Sequence, residues 1–320
     1  MLRAGRGRAQ PDGSGEEWLF SLYKQKMEQR KKHRKDRRDG WYLEGLDAIH
    51  VMMPYVFGPR TKNEAVLSEV IDLTEVDRYL AEKNGRNPEF KYTWFHVIAA
   101  VLAKTILLRP KMNWFISGMR FYERKDIAIA FNAKRKFSDD GEEALARFVL
   151  DREGGSPLEQ VHDYVWKFVT KVRSNDAPEG IGNTLEIVKK LPRPIFKMVA
   201  WGFRTMEYFG IYPESMAKDD PCYSSVYLTN LGSIKMCADY HHLFDWGTNS
   251  FFVVINEKKL RPIFNEDGTY QMHNTLKLGF TIDERIADGY YFAKSIRLMR
   301  HLFAHPELLD LDASAPVEFE

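Results

Sequence analysis

Phe95, Ile98, Ala99, Leu102 and Ile106 recur at three- and four-residue intervals and stop before Pro110, so one helix carries an apolar stripe that must lie on another apolar layer. The flanking sequence supplies that layer as strands. Short apolar or alternating runs stand at Val66–Ile71, Trp114–Ile116, Met119–Glu123, Ile127–Asn132 and Ala146–Leu150, with Asp139-Asp140-Gly141 as a turn. Asp72-Leu-Thr is a capping signal for a helix over Glu75–Lys83 that stops at Asn84-Gly85. Helical patterning returns over Leu158–Val172. Beyond the broken passage Asp176–Asn183 it returns again near Pro192 and Pro194, where the Met/aromatic run Phe196–Tyr212 is expected to pack as an apolar helix or to line an acyl pocket. Strands follow at Tyr223–Thr229, Phe251–Asn256 and Thr275–Asp283, and a last helix at Tyr290–Phe303. Long helices beside a mixed β-sheet predict an α/β, two-layer sandwich.

With 320 residues and 44% hydrophobic content the chain can fill a sizeable core, expected over 41–310 as one domain. Residues 1–40 hold 12 Lys/Arg against 6 Asp/Glu and read as a basic arm, with a basic helix over Trp18–Arg38; 311–320 reads as an acidic tail. The run Arg30–Arg38 has the charge to attract nucleic acid or an anionic membrane, but no aromatic interleaving or known motif accompanies it, so a solvated arm is expected. Cys222 and Cys237 suggest neither a disulfide framework nor a metal site, which fits a reducing, cytoplasmic compartment. The most apolar stretch, Ile195–Tyr212, contains Lys197, Arg204 and Glu207, so no spanning helix is expected, and no secretory signal is evident. Glycine-rich dinucleotide and phosphate-loop motifs are absent.

Four further segments carry chemistry. Arg109-Pro-Lys-Met-Asn113 ends the striped helix, and Asp126-Ile-Ala-Ile-Ala-Phe131 is a strand. Thr229-Asn-Leu-Gly232 closes another strand. Gly279 to Ala293 is a strand, then Asp283-Glu-Arg-Ile-Ala-Asp-Gly289, then an amphipathic helix. Together with Val66–Val76, and in this order, they resemble the catalytic domain of the 2-oxo acid dehydrogenase dihydrolipoyl acyltransferases, of the chloramphenicol-acetyltransferase-like superfamily, over roughly residues 60–310. In that family the loop reads Asp-His-Arg-x-x-Asp-Gly; here Glu284 stands in the histidine slot.

The resemblance implies a chloramphenicol-acetyltransferase-like sandwich, a homotrimer with active sites between subunits, and coenzyme A or acyl-coenzyme A as cofactor. It places Glu284 as the base and Thr229 as the hydroxyl that steadies the oxyanion. Asn230 and Gly232 lie beside the cofactor, Asp288 and Gly289 shape the loop through an arginine, and Asp283 and Arg285 frame it. The lipoyl and subunit-binding modules of the full acyltransferases, and with them a lipoyl attachment site, are not in this sequence, so the catalytic domain is expected to stand alone. The stretch 176–218 is longer than the family's connection.

A free carboxylate accepts a thiol proton about two orders of magnitude less readily than imidazole does, but burial in a dry channel narrows the gap. An ion pair of Glu284 with Arg285 or another basic residue, in a site that has lost its chemistry, is the competing expectation. His241 and His242, with Asp245 four residues on, resemble the His-His-x-x-x-Asp-Gly loop of chloramphenicol acetyltransferase with Trp246 breaking the register, and offer a second source of the base. No metal site is expected there, since Asp239 and Asp245 bring no third-ligand pattern. His50, His96, His162 and His273 read as isolated and fall outside the site. The reading is acyl transfer between coenzyme A and a small-molecule or carrier-borne thiol, hydroxyl or amine. Its alternative is an inactive trimeric scaffold or coenzyme A/acyl sensor of the same fold.

Overall fold

The computed structural model describes residues 30–134, 143–173, 192–217 and 220–319. The first half forms β1 (Gly40–Tyr42), α1 (Ala48–Val56), β2 (Glu64–Asp72), α2 (Thr74–Gly85), α3 (Trp94–Leu108), β3 (Trp114–Ser117), β4 (Arg120–Arg124), β5 (Ala128–Lys134) and β6 (Glu143–Val149). The second half forms α4 (Pro157–Arg173), α5 (Arg193–Tyr208), α6 (Glu214–Ala217), β7 (Val226–Asn230), β8 (Phe251–Ile255), β9 (Lys259–Phe264), β10 (Tyr270–Asp283) and α7 (Gly289–Ala304).

The main sheet runs β2-β10-β8-β7-β5-β6, with β9 paired to the start of β10. It is mixed: β7 lies parallel to β5 and β8, and the other pairs are antiparallel. Strand alternation decides what each face meets. Phe251, Val253, Ile255, Leu278, Phe280 and Ile282 point to the layer made by α2, α3, α4 and α7, whereas Phe252 and Val254 point to the opposite face under Leu243, Ala238 and Phe244. Within the helical layer α3 is central. Every residue from 96 to 107 is buried, so the apolar stripe is only the sheet-facing part of a helix enclosed all round. Burying each large apolar side chain contributes about 1.5–3 kcal/mol. A separate small sheet, β1-β4-β3, pairs Gly40–Tyr42 with β4.

Several expectations change. Residues 30–39 carry turns and no helix, and Arg37 is buried with its guanidinium on Ser117 Oγ (2.7 Å) and the Glu207 carbonyl (2.8 Å). Residues 18–29, the Asp139–Gly141 turn and Asp176–Asn183 lie outside the described residues. The helix around Pro192 and Pro194 exists as α5 but buries no residue; Ile195, Phe196, Met198 and Trp201 are exposed, so its apolar side is not core packing. At the other terminus Ala313 is buried, and Asp312 gives its carbonyl to Lys104 Nζ at 2.9 Å. His96 and His162 are not isolated: their rings lie 5.3 Å apart and His162 stacks on Tyr92 at 4.0 Å.

Candidate active site

β10 ends in a buried ion pair. Arg285 donates Nε to Asp283 Oδ1 (2.8 Å) and Nη2 to Oδ2 (2.7 Å), its backbone N–H donates to Oδ1 (3.3 Å), and both side chains are almost fully enclosed. This bidentate fork bends the chain into a 3-10 turn over Glu284–Ile286, and Arg285 Nη1 also donates to the Gly58 carbonyl. Glu284 sits inside the fork in sequence and outside it in space. Its N–H donates to the Asn63 carbonyl (3.0 Å), while its carboxylate is exposed and has no partner among the described residues. Two expectations are thereby corrected: Arg285 pairs with Asp283 and not with Glu284, and this chain by itself does not bury Glu284.

Asp288 caps α7, accepting the N–H of Tyr291 at 2.8 Å, a position where its charge also favours the helix dipole. Among the described residues it meets no arginine, and the contact with an arginine that the resemblance assigned to Asp288 is made there by Asp283. Nothing lies within 4 Å of where a Gly289 Cβ would stand, so the chain's own packing does not require glycine there.

The floor of the loop comes from a stretch the sequence reading passed over. Asn63 Nδ2 ties the chain to the carbonyls of Phe57 (3.0 Å) and Pro59 (2.7 Å). Arg60 is buried and reaches across to the carbonyls of Gly247 (2.7 Å) and Asn249 (2.5 Å). Burial pushes the Arg60 guanidinium below its ordinary range, with the nearby Asp283 charge acting against that. The available signal was Asp47 before an uncharged apolar run closed by Gly58-Pro59, the pattern of a capped helix.

Thr229 stands near the end of β7, half-buried, its hydroxyl without a partner among the described residues. Asn230 Oδ1 accepts the N–H of Ser233 (3.2 Å) and caps the following 3-10 turn. Gly232 is needed for close approach, since a Cβ there would stand 2.5 Å from the Asn256 carbonyl oxygen. Thr229 pairs with Val254, and Val254 with Gly279, five residues before Glu284. At strand spacing that is about 16 Å along the sheet and about 10 Å across it. One chain therefore holds Thr229 and Glu284 at opposite ends of the sheet.

The histidine pair lies between them. The segment 238–249 crosses the sheet face opposite the helical layer: Ala238 N–H donates to Asn256 Oδ1 (2.7 Å), Asp239 pairs with Lys277, and Leu243 N–H donates to Glu64 Oε1 (2.6 Å). Gly279 admits this crossing, because a Cβ would fall 2.0 Å from the Asp239 carbonyl oxygen. His241 stacks on Phe252 (4.3 Å, 10°), whose other side stacks on Tyr227 (5.0 Å, 7°), two residues before Thr229 on the same face. Nδ1 of His241 meets the His242 carbonyl (2.9 Å), and Nδ1 of His242 meets the Leu243 carbonyl (2.8 Å). A carbonyl only accepts, so in each neutral ring Nδ1 carries the proton and Nε2 keeps its lone pair. Among the described residues no three His, Cys, Asp or Glu side chains gather to hold a metal ion, and no helix is long and apolar enough to cross a membrane.

No protein-family model matches the chain, and no curated protein is similar to it in sequence. Among solved structures it is similar to the cubic core of the pyruvate dehydrogenase multienzyme complex, at 14% identity and a TM-score of 0.54, over 84% of this chain and 94% of that one. It is also similar to a probable dihydrolipoamide acetyltransferase from Listeria monocytogenes 4b F2365 (13%, 0.52, over 82% and 94%). A third is the dihydrolipoamide acetyltransferase of Azotobacter vinelandii (15%, 0.53, over 84% and 94%), studied for a serine, a histidine and an asparagine in its catalytic mechanism. The chain has the fold of these acyltransferase cores, as its ordered motifs predict.

Proposed function

We propose that this protein transfers an acyl group between coenzyme A and a thiol, hydroxyl or amine acceptor, and that it works as a homo-oligomer, a trimer by resemblance. The observation that supports the reading is the exposed Glu284 carboxylate, without a partner among the described residues and held out by the Asp283–Arg285 fork, in a chain with an acyltransferase-core fold whose loop motif sets Glu284 against the family histidine by resemblance. Glu284 would take the proton of the attacking group, and the free Thr229 hydroxyl would donate to the oxyanion of the tetrahedral intermediate. Because one chain separates the two, Glu284 of one copy would face Thr229 of the next. Contact with that copy would also supply the burial that strengthens a carboxylate base.

A second source of the base is His241, favoured by its unprotonated Nε2 on the same sheet face as Thr229. Coenzyme A release from acetyl-, propionyl- and longer acyl-coenzyme A, over thiol, alcohol and amine acceptors, tests both. Turnover abolished in Glu284→Gln with binding retained establishes the carboxylate base, and loss only in His241→Ala or His242→Ala moves the base to the pair. Coenzyme A binding without turnover in the wild type, with turnover gained in Glu284→His, marks a scaffold or sensor and overturns the proposal.

A further inference from the structure

A cleft of about 350 Å³ opens where the end of β4 and the starts of β5 and β7 meet the connection from α5 to α6, and no residue of the loop 283–289 lines it. Its walls carry five cations, Arg37, Arg38, Arg124, Lys125 and Arg147, against the carboxylates of Asp39, Asp126 and Glu214, a formal excess of two positive charges. Two of the carboxylates are already engaged: Arg37 Nε holds Asp39 at 2.8 Å, and Asp126 is paired with Arg147 and, at 3.8 Å, with Arg124. Arg124 and Arg37 are nine-tenths or more buried, so the positive charge is built into the wall and is not a fringe of surface side chains. Arg38 stands at the rim with no ion pair or hydrogen bond among the described residues.

The second observation is Tyr223. Its ring is stacked on Tyr212 at 5.2 Å, the residue lines this cleft and is 2% exposed, and its hydroxyl, closed to solvent, has no hydrogen-bond partner among the described residues. A buried hydroxyl without a partner is costly, and a neutral hydroxyl held between the Glu207 and Asp220 carboxylates and the Arg37 guanidinium keeps its proton to donate to an oxyanion. Gly210, Tyr212 and Glu214 bring in the wall from the connection between α5 and α6.

We propose that the cleft binds a phosphate group, as inorganic phosphate or as the phosphomonoester of a small molecule, with Arg38 and the Tyr223 hydroxyl donating to its oxygens. A dianion matches the excess of two charges, and a monocarboxylate does not.

The test is equilibrium dialysis of the full chain against radiolabelled inorganic phosphate, with ionic strength held constant by sodium chloride. Saturable binding at one site per chain is expected, weakened roughly 10-fold in Arg38→Gln and roughly 10-fold in Tyr223→Phe, each variant losing one charge-assisted hydrogen bond. Tyr223→Phe removes no bond within the chain, so its unfolding temperature without phosphate should equal or exceed the wild type's, which separates lost binding from lost fold. Displacement of the label by glycerol phosphate more tightly than by unlabelled phosphate identifies a monoester ligand, and weaker displacement identifies the free anion. Absence of saturable binding, binding unchanged in both variants, or displacement by acetate as effective as by phosphate would overturn the assignment.

Discussion

The separation of Thr229 and Glu284 along one sheet makes a quantitative prediction about mixed assemblies. Val254 and Gly279 carry the register between the two residues, and four further positions of β10 and the first of the turn bring the chain to Glu284, so about 19 Å lies between them. No side-chain rotation spans that gap. A site using both must take Glu284 from one copy and Thr229 from its neighbour. Glu284→Gln and Thr229→Ala chains, each inactive alone, should then complement when co-expressed or refolded together. With equal and random mixing, half the positions supply an intact glutamate and half of their neighbours an intact threonine, so about one quarter of wild-type sites form. The assay is coenzyme A release with the acceptor that the wild type uses, and the ratio is independent of how fast that turnover is. His241 and Thr229 share one face of one chain, so His241→Ala mixed with Thr229→Ala should recover nothing if His241 is the base. Recovery near zero in the first mixture, with both chains confirmed in the same oligomers, would refute the intersubunit pairing. Recovery of about one quarter in the second would refute the assignment of His241 to Thr229 of its own chain.

Three stability predictions follow from buried groups. Glu123 is 3% exposed and burial pushes its carboxyl up to about 8, well above its unfolded value; its proton is therefore held more tightly in the folded state, and wild-type stability falls as pH rises from about 4.5 to about 8. Glu123→Gln should be free of that loss, by up to about 5 kcal/mol at pH 9 in urea unfolding, and equal pH profiles for the two proteins would count against it. Asp283→Asn leaves Arg285 buried with half a fork and should cost about 3–5 kcal/mol in the same measurement; a change under about 1 kcal/mol would mean that the pair does not hold the loop. Gly279→Ala pushes a methyl group against the Asp239 carbonyl and should cost about 1–3 kcal/mol while loosening His241 from Phe252, visible as faster amide exchange over 238–246; a neutral result would place the crossing elsewhere.

What the sequence made legible is what local periodicity and capping control. The enclosed helix α3, the capped α2 after Asp72, the strands β7, β8 and β10 and the final helix all lie close to where spacing placed them, because each buries a face whose pattern is local. The fold followed from motif order. The partner of Arg285 was not legible, since Glu284, Asp283 and Asp288 are all within chain reach and only the pleat at the end of β10 turns Asp283 inward beside it. Nor was the floor from Phe57 to Glu64, whose contacts with 243–249 and 283–285 join residues nearly two hundred or more positions apart. The exposed face of α5 defied prediction for a third reason: its pattern is that of a packed helix, and pattern alone does not say what does the packing.

The frame around Glu284 is held by contacts independent of acyl transfer. Asp283 and Arg285 satisfy each other, Asp288 caps α7, and Glu284 contributes its backbone N–H to Asn63, a contact any residue but proline can make. Position 284 is thus a place in the loop whose side chain the fold of one chain does not use. A histidine placed there would meet the same turn, the same solvent and the same neighbours, and Glu284→His should fold as stably as the wild type. The framing residues therefore account for the turn, whereas the side chain of residue 284 and the Thr229 hydroxyl, unpartnered among the described residues, are left available for the proposed chemistry. That division is why turnover in Glu284→Gln and Glu284→His is the decisive comparison, and why loss of activity in Asp283→Asn would not distinguish a broken catalyst from a broken fold.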